Sequence, residues 1–121
     1  MTNVNIITVG KLKEDFLKGA QAEYSKRLSP FCKLKVVEIT ESRLSDNPSQ
    51  KEIEHSLGEE ARSIKPYIEQ KGSYSIVLCI EGIKLSSPAL AEKILKLGVD
   101  GFSTLNFVIG SSFGIADEIK K

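Results

Sequence analysis

Apolar residues recur along this chain with two alternating periods, and each switch between them marks an element. Residues 4–9, Val4-Asn5-Ile6-Ile7-Thr8-Val9, are β-branched and mostly apolar and stop at Gly10, which reads as a buried strand. Over residues 14–28 the apolar positions fall at Phe16, Ala20, Tyr24 and Leu28, with Leu17 beside them. Steps of four make one face of an amphipathic helix, and Pro30 lies just past its end. Leu34, Val36, Val37 and Ile39 give a second strand over 34–39, followed by a polar loop over 41–47.

Pro48-Ser49 then opens a helix, because Ser49 and Glu52 have the spacing of a capping box. Ile53, Leu57, Ala61, Ile64 and Ile68 line its apolar face, and Pro66 inside that pattern predicts a kink or a break. Residues 74–80 are the most apolar run of the chain, which predicts a central strand covered on both faces. Ser87-Pro88 reads as the next helix start, with Ser87 as N-cap and Pro88 at the first helical position. Leu90, Ala91, Ile94, Leu95 and Leu97 form its buried face, and Gly98 and Gly101 close it. A fourth strand over 104–109 and the opening of a helix over 114–121 complete the order β-α-β-α-β-α-β-α. Strands alternating with helices imply an α/β fold: a mainly parallel sheet with right-handed crossovers and helices on both faces.

The stretch with the clearest chemical potential is Asn106-Phe107-Val108-Ile109-Gly110-Ser111-Ser112-Phe113-Gly114. A strand ending in Gly110-Ser111-Ser112-x-Gly114 sets bare N–H groups and hydroxyls at the carboxyl edge of a sheet, where open α/β sheets bind ligands. Taken alone, the same residues serve a plain strand-to-helix turn that needs small side chains, and the local pattern favours that plainer use. The spacing matches neither Gly-x-Gly-x-x-Gly nor a Gly-Lys-Ser/Thr cradle, so a diphosphate on a helix N-terminus is not indicated.

Composition changes this picture little. The 121 residues, 40% apolar and 27% charged, fit one globular domain with a core of its own. A net charge of +1 gives no global field for nucleic acid. The charge is uneven, however. Lys11, Lys13, Lys18, Lys26, Arg27, Lys33 and Lys35 face only three acids over 11–35, whereas seven acids face three bases over 36–62. Two solvated helix faces explain this, and a basic rim near the N-terminus is the sharper reading. Cys32, Cys79 and His55 have no ligand-spaced partners, so neither a metal site nor a disulfide framework is expected, and a reducing, cytoplasmic setting fits. No apolar run is long enough to span a bilayer, and no secretory signal opens the chain.

Three further stretches join the Gly110 loop in a resemblance. These are Thr8-Val9-Gly10-Lys11-Leu12-Lys13-Glu14, Ala22-Glu23-Tyr24-x-Lys26-Arg27-Leu28 and Leu85-Ser86-Ser87. Together with Phe107-Val108-Ile109-Gly110-Ser111-Ser112-x-Gly114 they resemble the ribosomal RNA large-subunit methyltransferase H family of the SPOUT superfamily, over the whole chain. The resemblance implies an α/β fold with a C-terminal trefoil knot, a homodimer, S-adenosylmethionine as methyl donor, and methylation of a pseudouridine at ring N3 in large-subunit ribosomal RNA. It carries cofactor contacts onto Leu78 and Gly110, within a loop that adds Ser111, Ser112 and Gly114. Leu78 would wall the adenine, and Gly110 would let the backbone approach.

The chain departs from the family in two places. Gly110-Ser111 stands where the family has Gly-Gly. Family members also continue past the position of Lys121 with a strand, a basic loop and a long helix. That tail makes the knot, completes the dimer and carries residues placed at the RNA. The expectation is therefore one SPOUT-like domain over 1–121, incomplete at its C-terminus and unknotted, with its catalytic residues in the tail. Such a chain binds cofactor weakly and does not methylate unaided. Glu81 is better read as a solvated turn residue than as a base. The alternative is a non-catalytic α/β remnant that self-associates or binds a partner.

Overall fold

Each β-branched run forms a strand, and each four-step stripe forms a helix. The computed structural model describes residues 2–10, 14–41, 47–79, 82–110, 114–116 and 119. Its elements run β1 (Thr2–Val9), α1 (Asp15–Leu28), β2 (Cys32–Ile39), α2 (Gln50–Ile68), β3 (Ser73–Leu78), α3 (Ser87–Val99) and β4 (Thr104–Ile109). The four strands form one sheet in the order β2-β1-β4-β3, with every pair parallel. The helix expected over 114–121 falls mostly outside the described residues. So does the segment on which the expected absence of a knot depends.

The run over 74–80 was expected at the centre of the sheet, but β3 is an edge strand and the centre is β1 and β4. Local apolarity did not decide the position. β3 is only half-buried along its length, while β4, interrupted by a polar Asn106, is buried almost throughout. Asn106 tolerates that site because its whole amide is used. Its Oδ1 accepts from Asn5 Nδ2 at 2.9 Å, and its Nδ2 donates to the Tyr67 carbonyl at 3.0 Å and to Ser75 Oγ at 3.3 Å. One side chain thus ties β1, β3 and the end of α2 to β4.

The helix ends follow their caps. Ser49 Oγ accepts from Glu52 N–H at 3.2 Å and Glu52 returns to the Ser49 N–H, which is the predicted capping box. In α3 the cap is one residue earlier than expected. Ser86 is extended (φ −74°, ψ 162°) and accepts from Ala89 N–H at 3.2 Å, so Ser87 is already helical. Pro88 still lies in the first turn, whose N–H groups have no intrahelical acceptor in any case. Nor does α2 break at Pro66: it continues to Ile68, and Glu69 N–H still reaches the Lys65 carbonyl at 2.9 Å. Only the last turn follows the proline, so a single ladder bond is lost.

Alternation along the strands separates two faces. On one face Ile7, Val37, Ile39 and Val108 pack with Ala61 and Ile64 of α2, joined by Ile115 and Ile119. On the other, α3 approaches β3, with Lys93 Nζ 5.3 Å from the Tyr74 ring centre and Phe102 edge-on to that ring at 5.4 Å. Ile64→Ala should therefore cost about 2–5 kcal/mol. Asn106→Leu should cost about 1–3 kcal/mol for each buried partner it strands. Urea unfolding midpoints at constant slope would measure both, and an unchanged midpoint would mean that the face beneath α2 is not the core.

Candidate active site at the carboxyl edge of the sheet

The parallel register sets what stands at the carboxyl edge. Leu78, last in β3, lies opposite Ile109, last in β4, which itself lies opposite Thr8 of β1. Both apolar side chains are open to solvent, Leu78 at 51% and Ile109 at 40%. Ile83 and Leu85, just beyond β3, are exposed as well. A half-open apolar ledge thus borders Gly110, where a flat aromatic group can lie against one side. The apolar last position of β4 was the signal for Ile109, and sequence reasoning passed over it in favour of Leu78 alone.

Gly110 is a glycine that the chain itself requires. A Cβ at Gly110 would lie 2.7 Å from the carbonyl carbon of Gly114, and closer still to the Gly114 oxygen and Ile115 Cγ1. Gly114 turns the backbone with φ +92°, in open space. Gly110 therefore lies close against Gly114 and Ile115, and Ile115 packs in the core. Ser111, Ser112 and Glu81 lie outside the described residues. A Gly110→Val variant would disturb this packing directly, so it cannot serve as a clean block of ligand approach.

Beside the ledge, on the face carrying α1, a cleft of about 450 Å3 opens between that helix and the sheet. Ile6, Leu34, Val36 and Ile109 form its floor, and Tyr24 and Leu28 stand on its helical side. It includes Ile109, but its lining does not extend to Leu78 or Gly110. The stripe predicted to bury α1 is not buried: Phe16 is 74% and Tyr24 64% exposed, and α1 has no fully buried residue. Its sequence predicts a covered face, and the described residues leave that face open.

In an open, all-parallel α/β sheet the carboxyl edge is the place where ligands bind, and here that edge carries an apolar ledge. The family model described as "Predicted SPOUT methyltransferase" matches residues 2–121. The chain is 40% identical over 119 residues to Ribosomal RNA large subunit methyltransferase H of Leuconostoc mesenteroides subsp. mesenteroides, covering 98% of this chain and 74% of that one. It is 40% identical to the protein of that name from Clostridium kluyveri over the same shares. With the Clostridioides difficile protein it shares 42% over 117 residues, 97% of this chain and 73% of the relative. The chain belongs to the SPOUT methyltransferase family.

The close packing at Gly110 makes a sharp expectation for the two glycines. Gly110→Ala should destabilise by about 1–3 kcal/mol through overpacking. Gly114→Ala should lose about 1–2 kcal/mol from its left-handed backbone alone. Thermal unfolding would separate the two causes. Restoring the local backbone freedom with Gly in place of neighbouring residues should not relieve the Gly110 variant, whose clash is with atoms rather than with φ.

Proposed function

We propose that this chain is an S-adenosylmethionine-dependent methyltransferase that modifies N3 of a pseudouridine in large-subunit ribosomal RNA. We further propose that it works in the cytoplasm as a homodimer. The observation that carries this reading is whole-chain similarity to proteins named for large-subunit ribosomal RNA methylation, joined to an open apolar ledge at the sheet edge where the family resemblance puts the cofactor. The ledge suits the donor: Leu78 and Ile109 offer an apolar wall of a kind an adenine ring stacks on, and the Gly110 backbone runs beside it without a side chain. When bound, S-adenosylmethionine supplies an electrophilic methyl on its sulfonium. The residues of this chain then have to hold that group still and exclude water on the ledge side, since alignment of donor and acceptor carries much of the rate in such transfers. Ser111, Ser112 and Gly114 are proposed as further cofactor contacts. No helix among the described residues is long and apolar enough to cross a membrane, which suits a ribosomal substrate. The exposed stripe of α1 and the apolar cleft beneath it suit a protein partner, and the family resemblance makes a second copy the natural one.

Isothermal calorimetry with S-adenosylmethionine tests the site. Leu78→Ala removes part of an exposed side chain, so the fold should be untouched. Affinity should fall roughly tenfold, matching on the order of 1.4 kcal/mol of lost apolar contact. Unaltered affinity in Leu78→Ala, with thermal stability also unaltered, would remove Leu78 from the site. Absence of any binding to the parent chain would remove the ledge altogether.

A further inference from the structure

The uneven charge of the N-terminal third has a structural counterpart away from the carboxyl edge. Lys33 and Lys35 alternate along β2, an edge strand, so they project on one face about 6.6 Å apart along the strand. They pair across the sheet with Asn3 and Asn5. Above them α2 reaches its C-terminal end, and Tyr67 in its last turn and Gln70 just beyond it form the upper wall. These residues and Thr104 enclose a shallow cleft of about 390 Å3 with no acidic residue in its lining. Neither lysine makes an ion pair among the described residues, whereas Arg27 of the same basic segment is held by Glu23 at 2.9 Å.

We propose that this cleft is an RNA-backbone contact, in which the Lys33 and Lys35 ammonium groups take successive phosphates and the side-chain amides of Asn3 and Gln70 donate to phosphate or ribose oxygens. The proposal rests on the reading of the protein as an RNA methyltransferase, and it adds an anchor outside the reaction site. Thr104 borders the cleft at the start of β4 and Gly110 follows the end of that strand, which separates the two by roughly 20 Å. Lysines on an edge strand also guard against edge-to-edge pairing. A guard needs only charge at the edge. It does not need a cleft lined by amide side chains and two lysines with no carboxylate, which is the composition that fits phosphodiesters.

The test measures binding of short fluorescein-labelled single-stranded RNAs, of two unrelated sequences, to the whole chain by fluorescence anisotropy across a salt series. In Lys33→Gln/Lys35→Gln, affinity should fall tenfold or more for both sequences. The slope of log K against log salt should become shallower by about 1.4, the loss expected for two single-strand phosphate contacts. Lys33→Arg/Lys35→Arg should bind as the parent does. An edge guard would instead reveal itself as aggregation of the Gln variant with the salt slope unchanged, and that result overturns the proposal. Parent-like affinity and slope in the Gln variant overturn it too, while leaving the methyltransferase reading intact. A parent chain that binds neither RNA also overturns it, and calorimetry with S-adenosylmethionine on the same sample then shows whether the methyltransferase reading falls as well.

Discussion

A parallel sheet has to be covered on both faces, because its strands carry apolar side chains to either side. Here the two faces meet that constraint unequally. Beneath α2, Ile7, Val37, Val108, Ala61 and Ile64 close an apolar layer, and the buried Asn106 amide locks β1, β3 and the end of α2 to β4. On the other face α1 stands off the sheet, with Phe16 and Tyr24 in solvent and an apolar cleft below. The rigid half fixes the register of the strand ends. The open half leaves surface for something to bind. Ile109 belongs to both, since its strand is anchored by Asn106 and its side chain opens into the cleft.

That division explains why the carboxyl edge can hold a site without sacrificing the fold. Gly110 itself is fixed by contacts within the chain, because the Cβ space there already holds Gly114 and Ile115. Leu78 and Ile109, one residue short of it, are free to meet a ligand because little else meets them. Pre-set backbone beside an unsatisfied apolar surface is the arrangement in which binding costs the least ordering.

Much of this was legible in the residues. The strand and helix alternation, the Ser49–Glu52 box and the parallel class all follow from local rules that tertiary contacts did not override. The misplaced features have separate causes. β3 looked central because it is the most apolar run, yet neighbours in a sheet are chosen by crossovers, and the centre went to a strand that carries Asn106. A polar residue at a central position is visible in the sequence. Its three hydrogen-bond partners, spread over residues 5, 67 and 75, are not. The cap of α3 slipped from Ser87 to Ser86 because two serines in a row offer the same chemistry, and only backbone geometry selects between them.

The candidate site was legible in a different sense. The Gly-Ser-Ser-x-Gly pattern marks Gly110 as a position that cannot carry a side chain, and the neighbours that forbid one within the chain are Gly114 and Ile115. A glycine in a sequence reports only that something approaches closely. Whether that something is the protein itself or a bound molecule is a question of three-dimensional neighbours, and local spacing has no access to it. Leu78 presents the converse case. An isolated leucine at the end of a strand reads as core, and only its exposure next to Ile109 turns it into a surface that can receive a ring. The two residues reach the same site from opposite directions: one is small because the chain is crowded there, and the other is large where the chain leaves room.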